Sequence, residues 1–283
     1  MAKPRVPRIM AKETKKIVSR LTFRYLAALG CFGWALVVTT GTAAQQRPSP
    51  EPVPSGTVQT IVDGDTLILR SGVQVRLVGI QAPKLPLGRR GFKEWPLAAE
   101  AKLALARLTS GKILTLSYGG RKSDRHGRLL AHLTTPDGAW VQGALLTDGM
   151  ARVYTFPDNR GRAAEMLALE KSAREARRGI WAIAYYRIRT TDDLGRDIGT
   201  FQVIEGAVIK VAIVRGRAYL NFGQNWRTDF TVAISPKWMR RHWRDGPGVA
   251  SYEGRTVRVR GWLKSFNGPL IEATHPEQIE IAP

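Results

Sequence analysis

The stretch that decides the fold is IVDGDTLILRSGVQVRLVGIQAP, residues 61–83. It alternates short runs rich in β-branched residues with two turn sequences, Asp-Gly-Asp at 63–65 and Ser-Gly at 71–72. Such runs, bounded by glycine and aspartate, are typical of strands joined by tight turns. This part of the chain therefore predicts a β-meander of three strands: residues 57–62, 66–70 and 73–80.

Downstream, the apolar spacing changes from that of a strand to that of a helix. One helical face is predicted to carry Leu97, Ala101, Ala104, Leu105 and Leu108. Two more strands and two more helices follow: residues 112–118 and 129–134, then residues 140–150 and 163–178. Five strands with three helices predict a β-rich α+β fold, a small mixed barrel that forms one domain over residues 57–184.

A second domain is predicted over residues 200–283, after a polar linker at 185–199 that shows no periodicity. Its strands are interrupted by a short helix that begins at Ser235-Pro236, with serine at the N-cap and proline in the first turn. Three strands, a helix and further strands are the order of an oligonucleotide-binding (OB) barrel. The prediction is an OB-like barrel, and another small β-barrel is the alternative.

The N-terminal residues have the pattern of an export signal. Residues 1–24 carry eight basic residues against one acid, Glu13, and residues 25–44 carry no charge and end in Thr-Ala-Ala. This predicts a signal peptide over 1–44 and a proline-rich spacer over 45–56. Since 20 uncharged residues can just span a bilayer, an uncleaved membrane anchor is the alternative. We expect an exported protein, periplasmic or secreted, or one anchored to the membrane.

The chain is strongly basic. Its 44 Lys and Arg against 23 Asp and Glu give a formal charge of +21, which makes polyanions the first partners to consider. Most of this excess lies after residue 44. A single cysteine excludes an intramolecular disulfide, and with only four histidines it also excludes a cysteine-rich zinc finger. We expect a monomer.

Five short motifs follow one another along the first predicted domain. They are VDGDT at 62–66, VRLVGIQAP at 75–83, DRHGRLLA at 124–131, GMARVY at 149–154 and RGIW at 178–181. Each alone has a structural explanation, such as a tight turn or a helix end. Together, in this order and spacing, they resemble the thermonuclease (staphylococcal nuclease-like) family over residues 57–184.

The resemblance implies hydrolysis of phosphodiesters in DNA or RNA, with cleavage that leaves 3′-phosphates. In that family carboxylates hold a Ca²⁺, a glutamate activates the attacking water, and two arginines bind the phosphate. A divalent ion and two guanidinium groups neutralise the charge that develops at phosphorus. Planar guanidinium also suits paired phosphate oxygens.

Several residues carry over from the family pattern. Asp65 matches the first calcium ligand, with Asp63 beside it, and Arg76 and Arg128 match the two catalytic arginines. Tyr154 matches a nucleotide-contacting tyrosine. Phe156 replaces a second tyrosine and can still stack on a base. The substrate-binding residues expected from this pattern are Tyr154, Phe156, Lys84 and His126.

Two positions depart from the pattern. Gln81 stands where the family has a second acidic calcium ligand, and Lys84 stands where it has the water-activating glutamate. An ammonium about 5 Å from Ca²⁺ would cost roughly 6 kcal/mol at an effective dielectric of 20, and an outward swing of the lysine would reduce this. We expect Ca²⁺ or another divalent cation to bind weakly, or no metal at all. A cationic lysine cannot serve as a general base.

Three functions remain open. The favoured one is a nuclease with altered chemistry, in which Lys84 supplies positive charge in place of metal and another group handles the proton. His126 is the only nearby candidate for that role, but a surface histidine in a turn is the favoured interpretation of this residue. Asp63, Glu94 and Glu100 could instead rebuild a metal site. The alternatives are an inactive nucleic-acid binder and an envelope module that contacts other polyanions or proteins. Aromatic residues among the basic residues of 200–283 favour single-stranded nucleic acid, although many of these rings would also serve as core.

Overall fold

A computed structural model describes residues 54–192, 194–244 and 248–282. The predicted signal segment, residues 1–44, lies outside the described residues, and so does the spacer up to residue 53. Within the part of the chain that is described, no helix combines the length and the apolar character needed to cross a bilayer. The two sheet regions described below belong to one unit of the chain.

The first sheet region closes into a barrel with strand order β1-β2-β3-β6-β5. Its elements, in chain order, are β1 (Ser55–Asp63), β2 (Thr66–Leu69), β3 (Gln74–Leu77), β4 (Gly79–Gln81), α1 (Ala98–Thr109), β5 (Ile113–Ser117), β6 (Leu129–Thr134), α2 (Val141–Thr147), β7 (Arg152–Tyr154) and α3 (Ala163–Glu175). Strands β3 and β6 run parallel, and the other barrel pairs are antiparallel. The predicted five-stranded barrel with three helices is confirmed.

The strand predicted over residues 73–80 is two strands. After Leu77 the chain turns out of the barrel at Gly79, whose φ is +84°, in the left-handed region that favours glycine. A Cβ there would lie 2.7 Å from the sulfur of Met166. Strand β4 then pairs with β7, which sequence periodicity missed because it is only three residues long. This turn sets the direction in which Gln81 and Lys84 leave the barrel.

The second sheet region has the strand order β14-β12-β13-β11-β10-β9, with β8 paired to β12. Its elements are β8 (Phe201–Ala207), β9 (Lys210–Val214), β10 (Arg217–Asn221), β11 (Thr231–Ile234), α4 (Pro236–His242), β12 (Thr256–Ser265), β13 (Pro269–Ala273) and β14 (Ile279–Ile281). Residues 208 and 209 separate β8 from β9, and β8 pairs with β12 while β9 pairs with β10. Strands β11 and β13 are parallel. The domain boundaries and the OB-like assignment stay predictions.

Some aromatic side chains of the second region are buried in its core, and others are exposed at its surface. Phe222 and Trp243 are buried in a hydrophobic cluster with Phe230. Three rings are instead exposed by about half or more: Trp226, Trp262 and Phe266. The second region therefore has aromatic side chains left over for contacts outside its core.

A buried ion network joins the two sheet regions. Glu170 of α3 accepts hydrogen bonds from Arg260 of β12 at 3.0 Å on each carboxylate oxygen. Glu170 also accepts from the Val153 backbone and from Arg174, and Arg260 also pairs with Glu280. Although burial raises the pKa of Glu170, the guanidinium of Arg260 holds it below its usual range. Two acids and two arginines leave the network without net charge.

We expect Glu170→Gln to lower the free energy of unfolding by about 3–5 kcal/mol, because it leaves Arg260 buried with one carboxylate fewer. Urea denaturation followed by circular dichroism measures this. Glu175→Gln, on the same helix, is the matched control, since its pair with Lys171 is 3.9 Å long and exposed. That variant should change stability by less than about 1 kcal/mol. Equal losses in the two variants would contradict the network's role.

A buried histidine at the seam, as we call the contact between the two sheet regions, makes the free energy of unfolding depend on pH. His275 is 1% exposed and lies between the hydroxyls of Thr155, at 2.7 Å, and Thr274, at 2.9 Å. Burial lowers the pKa of His275 to about 4, with Glu277 opposing this shift and Arg160 adding to it. The unfolded chain takes up the proton near pH 6.5. Stability is thus full above that pH and falls as the pH approaches 4.

His275→Gln should remove this dependence, which amounts to about 3 kcal/mol between pH 6.5 and 4. Denaturation at a series of pH values between 6.5 and 4 should show that the variant takes up one proton fewer on unfolding than the parent protein does. His132, buried and with its pKa also lowered to about 4, keeps part of the slope in both proteins. His126→Gln at the surface is the control, and a slope unchanged by His275→Gln would refute the assignment.

Candidate active site

The predicted site residues meet at one cleft of about 650 Å³. Six of the eight line it: Arg76, Lys84, His126, Arg128, Tyr154 and Phe156. Asp63 and Asp65 lie behind Lys84, which contacts both of them. Residues from β3, β4, β6 and β7 thus converge because β4 leaves the barrel and pairs with β7.

The turn between β1 and β2 fixes the two carboxylates. Asp63 Oδ1 accepts the backbone N–H of Asp65 at 3.1 Å, and Asp65 Oδ2 accepts the backbone N–H of Ala82 at 2.7 Å. Gly64 between them has no room for a side chain, since a Cβ there would lie 2.7 Å from the side chains of Ala82 and Ala101. The turn is therefore pinned both to the start of the loop after β4 and to α1.

Lys84 occupies the space between the carboxylates. Its Nζ lies 2.6 and 2.7 Å from the two oxygens of Asp65 and 3.1 Å from Asp63 Oδ2. Arg76 adds a second cation, with Nη1 3.0 Å from Asp65 Oδ1. The lysine does not swing outward, as a resident metal ion would require. Two acids and two bases balance in charge here without any added ion.

The two aspartates respond differently to this surrounding. Burial would raise the pKa of Asp65, but the guanidinium of Arg76 and the ammonium of Lys84 hold it far below its usual range. The pKa of Asp63 is raised, chiefly by burial and then by the negative charge of Asp65, while Lys84 opposes the shift. Asp65 is the anion to which both cations are directed.

This donor set does not fit Ca²⁺. The ion takes six to eight oxygen ligands, whereas the described residues hold no group of three acidic, histidine or cysteine side chains placed for a metal. The oxygens of Asp65 already accept the Lys84 ammonium. Glu94 and Glu100, considered as replacement ligands, are exposed on the loop and on α1. The predicted weak site at Asp63 and Asp65 is filled by an ammonium group.

The side chain of Gln81 points away from Asp63 and Asp65 and contacts Arg152. Its carbonyl oxygen accepts two hydrogen bonds from its cross-strand partner Arg152, at 3.0 Å from Nε and 2.8 Å from Nη2. Arg152 is 5% exposed and packs over the ring of Phe201 at 4.6 Å, and burial lowers its pKa to about 10. It therefore remains charged at neutral pH. Gln81 serves as the polar partner of this buried cation.

The two predicted catalytic arginines are held in different ways. Arg76 points out of the barrel between the buried Val75 and Leu77, and donates to the backbone oxygens of Asp65, Leu77 and Ile80. Arg128 pairs with Asp124, whose Oδ2 lies 2.8 Å from Nε and 2.7 Å from Nη2. Both guanidinium groups line the cleft with Lys84. These three cations line the cleft together with Arg121 and Arg125.

His126 lies in the turn before Arg128. It is exposed, its backbone N–H donates to Asp124 at 2.8 Å, and its Nε2 lies 3.1 Å from Nε of Arg125. These contacts are those of a surface turn residue at the cleft margin, and the ring touches none of the carboxylates around Lys84. The expected proton-handling role gains no support from this position.

Sequence reasoning missed an aromatic residue of the cleft. Trp262 of β12 lines it from the second sheet region, and its indole N–H donates to the hydroxyl of Tyr154 at 2.9 Å. The sequence placed Trp262 only among the aromatic residues of the C-terminal region. No local motif could have assigned it to this cleft, because the contact depends on how β12 packs against β7.

The part of the chain that holds the first sheet region is similar to known proteins. Residues 74–183 match the family described as staphylococcal nuclease homologue. An uncharacterized endonuclease from Escherichia coli is 31% identical over 132 residues, which cover 46% of this chain and 78% of that protein. This chain belongs to the staphylococcal nuclease family. Another member, the micrococcal nuclease of Shigella flexneri, is 31% identical over 138 residues, covering 45% of this chain and 73% of that protein.

Protein ParB of Escherichia coli is 34% identical over 161 residues, or 51% of this chain and 84% of that protein. The endonuclease relatives support a nuclease function for this staphylococcal nuclease homologue, and hence a nucleic-acid substrate. The family match ends at residue 183, before the second sheet region begins. What that region adds must be argued from its contacts.

We expect 10 mM Ca²⁺ to leave the melting temperature unchanged, because the Lys84 ammonium competes for the oxygens of Asp65. The paired substitution Gln81→Asp with Lys84→Glu should create a site, and a site of millimolar affinity would add about 1.4 kcal/mol. Differential scanning fluorimetry with Ca²⁺ or EDTA measures both proteins. Lys84→Gln, which removes the charge without adding a ligand, is the control. If Ca²⁺ raised the melting temperature of the parent as much as that of the paired variant, Lys84 would not be excluding the ion.

Proposed function

We propose that this protein is a phosphodiesterase that hydrolyses DNA or RNA with a tethered ammonium group in place of the family's metal ion. The observation that carries the proposal is the position of Lys84 Nζ, 2.6 Å from Asp65 and exposed to the same cleft as Arg76 and Arg128. Three cations around one cleft can neutralise the charge that develops on a phosphate during attack by water. Resemblance to the family adds cleavage that leaves 3′-phosphates.

Asp65 orients the cations rather than reacting. Its carboxylate is buried and receives hydrogen bonds from Lys84 and the Ala82 backbone, so Lys84 is held with little freedom. A cation already in place needs no reorganisation when the phosphate gains charge. Lys84 thus stabilises the transition state electrostatically, and Arg128 contributes the planar donor pair that suits two phosphate oxygens.

A catalytically inactive nucleic-acid binder is the second candidate function. It is favoured by the fact that Gln81 and Lys84 replace two acids, so the carboxylate that would activate water at that position is missing from the chain. The same three cations would then hold a phosphate without turnover. The formal charge of +21 supports either function, since it draws polyanions to the surface.

Export is proposed on the sequence of residues 1–44 alone, as a signal peptide or, if uncleaved, a membrane anchor. An exported nuclease would act on nucleic acid outside the cytoplasm, in the periplasm or beyond it. In that setting a tethered cation would make activity independent of the supply of free Ca²⁺. The envelope interaction module remains the competing use of the basic surface.

We expect the protein to cleave nucleic acid in EDTA at the rate seen in Ca²⁺, and Arg128→Ala to lower kcat by about 10²- to 10³-fold. Gel assays on single- and double-stranded DNA and RNA with Ca²⁺, Mg²⁺, Mn²⁺ or EDTA measure this. Arg107→Ala is the matched control, because Arg107 is an exposed arginine on α1 that does not line the cleft.

The outcomes separate the two functions. Cleavage that survives EDTA and is lost in Arg128→Ala supports the tethered-cation nuclease. Cleavage that requires Ca²⁺ refutes the role given to Lys84. Salt-dependent binding without cleavage, weakened in Arg128→Ala, identifies the binder instead.

A further inference from the structure

The cleft receives one wall from outside the region that matches the nuclease family. Trp262 lies in β12, well beyond residue 183, where the family match ends. It is 45% exposed, lines the same cleft as Arg76 and Arg128, and donates to Tyr154 at 2.9 Å. The second sheet region is therefore in contact with the cleft itself.

The position of Trp262 is fixed by the ion network that joins the two regions. Side chains alternate along a strand, so Trp262 lies on the same side of β12 as Arg260, two residues earlier. Arg260 is anchored to Glu170 and to the backbone oxygen of Val153. Val153 directly precedes Tyr154, which receives the Trp262 hydrogen bond. The two contacts are thus neighbouring points of one seam.

Four aromatic rings meet at this seam. Tyr154 packs edge-to-face on Phe156, with centroids 4.8 Å apart, and on Phe201, with centroids 4.9 Å apart. Phe201 pairs across the strands with Trp262, and their rings are 6.4 Å apart in the same arrangement. Phe201 is buried, whereas Phe156 and Trp262 are 46% and 45% exposed. Phe201 and Tyr154 pack against the two half-exposed rings, Phe156 and Trp262, which line the cleft.

We propose that Trp262 is a substrate-positioning residue, on which an unpaired base stacks while its phosphate lies at Arg76, Lys84 and Arg128. This rests on the proposed action on nucleic acid. An aromatic ring offers an open face to any base, but only to a base that is not already stacked and paired in a duplex. The second sheet region would thereby make the cleft selective for single strands.

The tryptophan has a further property that a simple surface ring lacks. Its N–H orients the hydroxyl of Tyr154, so the ring plane and the tyrosine are fixed together. Trp262→Phe keeps a stacking face and removes this donor, while Trp262→Ala removes both. The two variants separate stacking from hydrogen bonding.

The test uses the full chain, a fluorescein-labelled eight-nucleotide oligo(dT) and a hairpin duplex of equal charge. Fluorescence anisotropy gives Kd for each, and steady-state assays give KM and kcat. Trp262→Ala should weaken binding of the single strand by about 10- to 100-fold and raise its KM, with kcat changed less than about twofold. Affinity for the hairpin should change less than about threefold. Trp262→Phe should lie within about fivefold of the parent.

Trp226→Ala is the matched control, because Trp226 is 51% exposed in the same sheet region and does not line this cleft. It should leave both affinities unchanged, and the variants should melt at the same temperature as the parent. Equal losses for single strand and hairpin in Trp262→Ala would overturn the proposal. So would an equal loss in Trp226→Ala.

The binding readout is independent of turnover. If no protein in the series cleaves nucleic acid, but Trp262→Ala still loses single-strand affinity selectively, the hydrolase proposal fails and the role of Trp262 holds. If cleavage is normal and the selectivity is unchanged by Trp262→Ala, the role of Trp262 fails and the hydrolase proposal holds.

Discussion

The contact between Glu170 and Arg260 is the interaction on which the rest of the structure depends. A carboxylate that is fully buried must be compensated in place, because desolvation of an unpaired charge costs several kcal/mol. Its compensation comes from a strand 90 residues later in the chain. Helix α3, strand β7 and strand β12 are therefore held in one arrangement. The cleft lies at the edge of that arrangement and takes residues from both sheet regions.

A second charge balance defines the chemistry of the cleft. In a metal site, acidic ligands create a negative cavity that an ion from solution fills. Here the chain supplies the cation itself, and Lys84 sits on the carboxylates of Asp63 and Asp65. The ordering of a free ion is replaced by the ordering of one lysine side chain, and the ammonium is partly removed from water as an ion would be. The electrostatic task of the ion remains, whereas its capacity to bind and activate water does not pass to an ammonium group.

The sequence was enough to predict the first barrel and six residues of the cleft beside it, because both depend on local patterns. The turn at 63–65 and the alternation around Arg76 are local, and motif spacing indicated Arg128 and Tyr154. The direction of the Lys84 side chain does not follow from the sequence around it. Charge replacement at positions 81 and 84 signalled an altered site, but only the turn at Gly79 directs the lysine inward and Gln81 toward Arg152.

Trp262 and Glu170 were hidden from sequence reasoning for a related reason. Each reads as an ordinary member of an amphipathic element, a ring on a strand and an acid on a helix, and each gains its role from an element far away in the chain. The two roles are linked in the folded protein. The ion pair between Glu170 and Arg260 also ties β12 to the backbone of Val153 in β7, and this contact places the ring of Trp262 beside the phosphate-binding cations. A region with no catalytic motif of its own can thus shape what a nuclease cleft accepts.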